Sequence, residues 1–128
     1  MKKIILAQPL INIKDSSKIL NSVLKSNFIN EGSQTKEFEK KICKLLKVKH
    51  AVTTTSGTVA IFLALKAAGI KNGDEVIIPN ITFPATANAV KMAGGKLILA
   101  DVNPINLLID EKSLIKKINS KTKFINLP

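Results

Sequence analysis

Residues 50–65, His50-Ala-Val-Thr-Thr-Thr-Ser-Gly-Thr-Val-Ala-Ile-Phe-Leu-Ala-Leu65, pass from a β-branched run through Ser-Gly-Thr directly into a helical pattern. Strand, Ser-Gly turn and helix in that order is a way for a chain to hold a phosphate. Residues 51–55 favour a pleated strand, and Gly57 is expected to let the backbone turn tightly. Ser56 is placed to cap a helix whose first N–H groups belong to Gly57, Thr58 and Val59. An anion at that point gains hydrogen bonds and the positive end of the helix dipole, the dipole alone contributing about 0.3–1 kcal/mol at an exposed terminus. The same order also serves as an ordinary βα turn with no ligand, so taken alone it leaves both readings open.

The layout recurs in Gly73-Asp-Glu-Val-Ile-Ile-Pro-Asn-Ile-Thr-Phe-Pro-Ala-Thr-Ala-Asn-Ala-Val90. A short apolar strand at 75–78 runs into a Pro-Asn turn and then a helix that Thr82 is expected to cap. Phe83 stands at the start of that helix, beyond the strand's carboxyl end. Docking into the core is the commoner fate of a Phe; a ligand face is the other. Along the chain the patterns predict helices near 15–26, 35–47, 57–69, 83–94 and 111–119, and strands near 51–55, 75–78, 96–100 and 123–127. Strands separated by helices imply an α/β fold, a mainly parallel sheet covered on both faces. The Ser-Gly-Thr and Thr-Phe turns both follow strands, so they share the sheet's carboxyl edge, where open α/β sheets bind ligands.

Together these stretches resemble the DegT/StrS-type nucleotide-sugar aminotransferases, pyridoxal-phosphate enzymes of the aspartate-aminotransferase fold. The similarity runs from Phe28-Ile-Asn-Glu-Gly32 and Phe38-Glu39 through Thr55-Ser-Gly-Thr-Val-Ala60, Gly73-Asp-Glu-Val-Ile-Ile-Pro79 and Thr82-Phe-Pro-Ala-Thr-Ala-Asn-Ala89. It continues to Ala100-Asp-Val-Asn-Pro104 and Lys121-Thr-Lys-Phe-Ile125, covering nearly the whole chain. The resemblance implies that residues 1–128 are the N-terminal part of the large domain, incomplete. It implies that the backbone amides of Gly57, Thr58 and Val59, with the Thr58 hydroxyl, grip the phosphate of pyridoxal 5'-phosphate, and that Phe83 stacks on the pyridine face. Ser56 is a further cofactor-binding candidate or the helix cap alone. Asn30 and Glu31 fall where relatives bring residues near the sugar nucleotide, and Asp101 reads as a turn former.

In that family the lysine that bonds the cofactor, and the aspartate that pairs with the pyridine nitrogen, come later in sequence than Pro128. No catalytic residue is therefore assigned among these 128 residues, and the chain alone is expected to be inactive. A sheet cut short leaves an edge and apolar faces uncovered, which predicts marginal stability or aggregation for the piece by itself. For the whole protein the resemblance implies amino transfer from glutamate to a keto group on a nucleotide-linked sugar, for surface polysaccharide or glycoconjugate synthesis, in a homodimer. A same-family dehydratase, with histidine in place of the lysine, is the alternative these residues do not separate.

The remaining features narrow the alternatives. The net charge of +11 and pI near 9.9 raise a lysine-rich polyanion-binding module as a different class of function. Against it, all 20 basic residues are lysine, aromatics make up 4%, and there is no Tyr or Trp to stack on bases, so no nucleic-acid partner is expected. Cys43, the one cysteine, lies beside the apolar stripe Phe38, Ile42, Leu45 and Leu46, as a packed or half-buried thiol. A disulfide within the chain is impossible and no metal-ligand spacing is present. His50, the only histidine, reads as structural or solvated. Met1-Lys-Lys-Ile-Ile-Leu-Ala7 imitates an export signal but its apolar run is too short, and no segment has the apolar length of a membrane span, so a cytoplasmic location is expected. Gly69 to Gly73 and Gly94-Gly95-Lys96 lack the spacing of a P-loop or dinucleotide fingerprint.

Overall fold

The computed structural model describes residues 7–126; the signal-like start up to Leu6, and Leu127 of the last expected strand, lie outside the described residues. The chain divides into two compact units, Met1–Thr53 and Thr54–Pro128.

In the first unit, α1 (Ile13–Lys25) begins where the Asn12 side chain accepts the Asp15 N–H at 3.3 Å, with an acidic residue in its first turn and Lys25 in its last. Helix α2 (Ser33–Leu46) ends at Lys47, which adopts a left-handed backbone (φ 54°) and donates its N–H to the last turn at the Cys43 carbonyl. Neither helix buries a residue fully, and Leu20, Leu24, Phe38 and Leu45 stay exposed. Cys43 is half-buried beside the stripe, and His50 is exposed.

The second unit holds α3 (Gly57–Ala67), β1 (Glu75–Pro79), α4 (Pro84–Ala93), β2 (Lys96–Ala100), α5 (Glu111–Lys117) and β3 (Thr122–Ile125). The three strands form one parallel sheet in the order β2-β1-β3. The step from β1 to β2 through α4 and the step from β2 back past β1 to β3 through α5 run in opposite directions. Right-handed crossovers therefore place α4 and α5 on opposite faces, which buries every residue of β1. The core joins Val76 and Ile78, which share one face of the sheet, to Leu65 of α3, Ile70, and Val90 and Ala93 of α4, with Ile61, Phe62, Ala87, Leu97 and Phe124 packed at its margin.

The Gly94-Gly95 pair makes the return from α4 to β2 possible. Gly94 has φ +91° and caps the helix, while a Cβ on Gly95 would stand 2.6 Å from Ile70 Cδ1 and 3.2 Å from Val76 Cγ2, so any side chain there would force these core residues to shift.

One expected strand is absent. Residues 51–55 have no ladder partner among the described residues, and the Thr53 N–H and hydroxyl both go to Glu39 Oε1, at 2.8 and 3.0 Å. β-Branched composition makes a segment extended, but a strand exists only where another strand pairs with it. The last strand spans 122–125 rather than 123–127, with a bulge opposite Glu75/Val76.

Candidate functional site

The two turns singled out in the sequence lie at the carboxyl edge of the sheet. Helix α4 starts directly beyond β1. Helix α3 hands over to β1 through residues 68–74 at the amino edge, so its own N-terminus is displaced toward the opposite, carboxyl edge. Helices α3 and α4 pack on each other.

Ser56 is the N-cap of α3: its extended backbone (φ −164°, ψ 161°) feeds the helix and its Oγ accepts the Val59 N–H at 3.3 Å. Thr54 Oγ1 donates to the Ser56 carbonyl at 3.0 Å and braces the turn. The N–H groups of Gly57 and Thr58 have no acceptor among the described residues, which leaves two donors at the positive end of an 11-residue helix.

The expected tight turn at Gly57 is corrected: Gly57 is the first helical residue and has no positive φ. A Cβ there would meet nothing within 4 Å, so neither strain nor packing inside this chain demands glycine. What glycine leaves at this point is an open Cβ position at the start of the helix. The phosphate of pyridoxal 5'-phosphate fits that arrangement, since it is an anion that needs convergent N–H donors at close approach.

The expected Thr82 cap is also corrected. Phe83 occupies the N-cap position with no side-chain cap, and Pro84 starts the helix at a position where its missing N–H costs nothing. The Thr82 hydroxyl instead shares a hydrogen bond with that of Thr86 at 3.2 Å, and Thr86 is buried. The Phe83 ring is 77% exposed, so the core is not its destination. Asn30 and Glu31 belong to the first unit.

Two clusters escaped the sequence reading. Asp101, read there as a turn former, accepts Asn80 Nδ2 at 3.2 Å on Oδ1 and the Ser113 hydroxyl at 3.2 Å on Oδ2. The signal was the Asp110-to-Ser113 spacing, since the Asp110 carboxylate caps α5 by accepting the Ser113 N–H at 2.7 Å. At the amino edge Glu75 is buried, its Oε1 paired with Lys96 Nζ at 3.0 Å and its Oε2 accepting Asn119 Nδ2 at 2.7 Å. The Asn119 and Lys96 hydrogen bonds hold the Glu75 carboxyl below its ordinary pKa. Here the legible signal was the matched register of Glu75 and Lys96, opposite charges opening neighbouring strands. Among the described residues no group of His, Cys, Asp and Glu could hold a metal ion, and no helix is long and apolar enough to cross a membrane.

A three-stranded parallel sheet flanked by helices, with a capped helix N-terminus and an exposed aromatic toward its carboxyl edge, defines an α/β protein. Solved structures with this backbone are aminotransferase-fold proteins. Spr1654 of Streptococcus pneumoniae, described as a sugar aminotransferase and solved in its PMP-form, superimposes with a TM-score of 0.89 at 27% identity, over 97% of this chain and 31% of that one. GDP-4-keto-6-deoxymannose-3-dehydratase with a trapped PLP-glutamate geminal diamine gives 0.88 at 28% identity, over 96% and 33%. The GDP-perosamine synthase of Vibrio cholerae is 38% identical over 109 residues, 84% of this chain and 30% of that protein. The sequence pattern of the DegT/DnrJ/EryC1/StrS aminotransferase family matches residues 11–127, and the chain belongs to that family. It spans about 30% of the length of the relatives it matches.

Proposed function

We propose that this chain forms the N-terminal part of the large domain, and supplies the phosphate and ring contacts, of a pyridoxal-phosphate-dependent sugar aminotransferase. The observation that carries the proposal is the pair of N–H groups at Gly57 and Thr58 that have no acceptor among the described residues, at a helix start where Gly57 adds no side chain. When bound, the cofactor supplies the electron sink that lets an amino group move between carbon centres. The chain's own residues do the holding. Gly57 and Thr58 donate to the phosphate, Val59 shares its N–H between the Ser56 cap and the ligand, and Phe83 covers one face of the ring and excludes water from it. Ser56 acts through the helix it caps.

The amino donor is glutamate and the acceptor a keto group on a nucleotide-linked sugar, a reading supported by the aminotransferase and dehydratase relatives. The product enters surface polysaccharide or glycoconjugate synthesis in the cytoplasm, and the working protein is a homodimer. We place the lysine that bonds the cofactor beyond residue 128, consistent with the greater length of the relatives, and expect no turnover from the 128 residues alone. The likeness to the 3-dehydratase favours one second reading, removal of a sugar hydroxyl by a protein with histidine at the lysine position.

Incubating the full-length protein with glutamate, cofactor and a 4-keto nucleotide sugar tests the proposal by product mass. An amino sugar supports it, a deoxygenated sugar supports the second reading, and turnover by residues 1–128 alone would show that the lysine has been wrongly placed.

A further inference from the structure

We infer that Asn80, Asp101 and Ser113 are positioning residues for the Phe83 ring, joined in a hydrogen-bonded bracket across the carboxyl ends of β1 and β2 and the start of α5. The inference rests on the proposed stacking role of Phe83. An exposed ring has no packing of its own to fix it, so the backbone that presents it must be held instead.

The 80–83 loop is pinned on both flanks. Upstream, the Asn80 N–H donates to the Ala100 carbonyl at 2.8 Å and its side-chain amide to Asp101 Oδ1 at 3.2 Å. Downstream, the Thr82 and Thr86 hydroxyls are joined, and the Thr86 N–H donates to the Phe83 carbonyl at 3.1 Å. Between these anchors the side chains of Ile81 and Phe83 stand exposed.

Asp101 is the centre of the bracket. Its N–H donates to Ser113 Oγ at 2.9 Å, its carbonyl accepts the Asp110 N–H at 2.8 Å, and its carboxylate accepts from both Asn80 and Ser113. Ser113, buried, donates its own N–H to Asp110. A residue that only formed a turn would bond within its own segment; Asp101 ties the loop after β1 to the helix before β3. The bracket sets where the ring is presented and leaves the N-terminus of α3 untouched. Asp101 therefore acts on a ligand with a ring and is indifferent to one without.

The test titrates full-length protein with pyridoxamine 5'-phosphate and, separately, with inorganic phosphate, and records the near-ultraviolet circular dichroism of the bound pyridoxamine phosphate. Asp101→Ala and Asn80→Ala are each expected to weaken pyridoxamine phosphate about fivefold, the effect of the one hydrogen bond that both remove, Asn80 to Asp101, and to flatten the dichroic band. Phosphate affinity is expected to stay at the wild-type value, and Asp101→Asn, which keeps an acceptor for Asn80, to restore the band. In a Phe83→Ala background Asp101→Ala is expected to add no further loss. Asn80→Ala keeps the backbone bond to Ala100 and carries the test if Asp101→Ala fails to fold. If Phe83→Ala weakens binding but Asn80→Ala and any folded Asp101 variant bind as wild type, the bracket is overturned and the stacking role stands. Wild-type binding by Phe83→Ala overturns the stacking role and the bracket with it.

Discussion

At the amino end of the sheet, buried Glu75 has both carboxylate oxygens engaged, its N–H donates to the Lys121 carbonyl at 2.8 Å, and the Lys96 N–H closes on Asp74 at 2.8 Å. At the carboxyl end, by contrast, the Gly57 and Thr58 N–H groups have no acceptor among the described residues, and Phe83 remains 77% exposed. The amino-edge cluster engages its polar groups internally, and at the carboxyl edge the Asn80, Asp101 and Ser113 side chains do the same, but there the start of α3 and the Phe83 ring are left to solvent. On the proposed function, that asymmetry separates the part of this unit that holds the fold from the part that would receive the cofactor.

Changes on the stability side and changes on the ligand side should therefore separate in experiment, with the full-length protein as the test object. Ile78→Ala, in the core beneath both edges, is expected to lower stability by about 2–5 kcal/mol, read from the urea midpoint. Gly57→Val puts a branched side chain at the open start of α3. It should weaken pyridoxamine phosphate about a hundredfold by calorimetry, since two hydrogen bonds to a charged group are lost, while the urea midpoint stays put. Phe83→Ala should weaken the same ligand roughly tenfold, again without moving the midpoint, because the ring is exposed and supports nothing in the core.

A smaller effect belongs to the amino edge. Glu75 has a folded-state pKa below its unfolded value of 4.5, so its stabilisation is present above that value and is lost as pH falls through the lower one. Thermal melts from neutral pH down through the acid range should show wild type declining below pH 4.5, and Glu75→Gln declining less over that window. Smallest of all is Glu37→Gln, which removes the exposed 2.8 Å pair with Lys41 on α2 and should leave the urea midpoint unchanged within error. If Glu75→Gln altered ligand affinity, or Gly57→Val the fold, the division between the two edges would fail.

How much of this was legible in the sequence depends on how local each feature is. Helices α2, α3 and α5 lay close to where their apolar spacing placed them, and Ser56 capped as its position before Gly57 suggested, because caps and periodicity involve neighbours within a few residues. Residues 51–55 were misread as a strand because β-branched side chains report an extended backbone and say nothing of a partner; Glu39, 14 residues away, took the Thr53 N–H instead. Thr82 was misread as a cap because Pro84 moved the helix start past it and the buried Thr86 hydroxyl offered a partner. The Glu75 clamp draws on Lys96 and Asn119, and the Asp101 bracket on Asn80 and Ser113, residues that only the β2-β1-β3 order brings together. The candidate ligand residues were proposed from order and resemblance, whereas the side chains of the Glu75 and Asp101 clusters meet over long range and needed the fold.

The most direct measurement is a crystal structure of the full-length protein with pyridoxamine 5'-phosphate. The phosphate is predicted to lie within hydrogen-bond distance of the Gly57 and Thr58 amides, with the Phe83 ring parallel to the pyridine. A phosphate bound elsewhere, with Gly57 and Thr58 still facing solvent, would contradict the assignment of the carboxyl edge as the cofactor site.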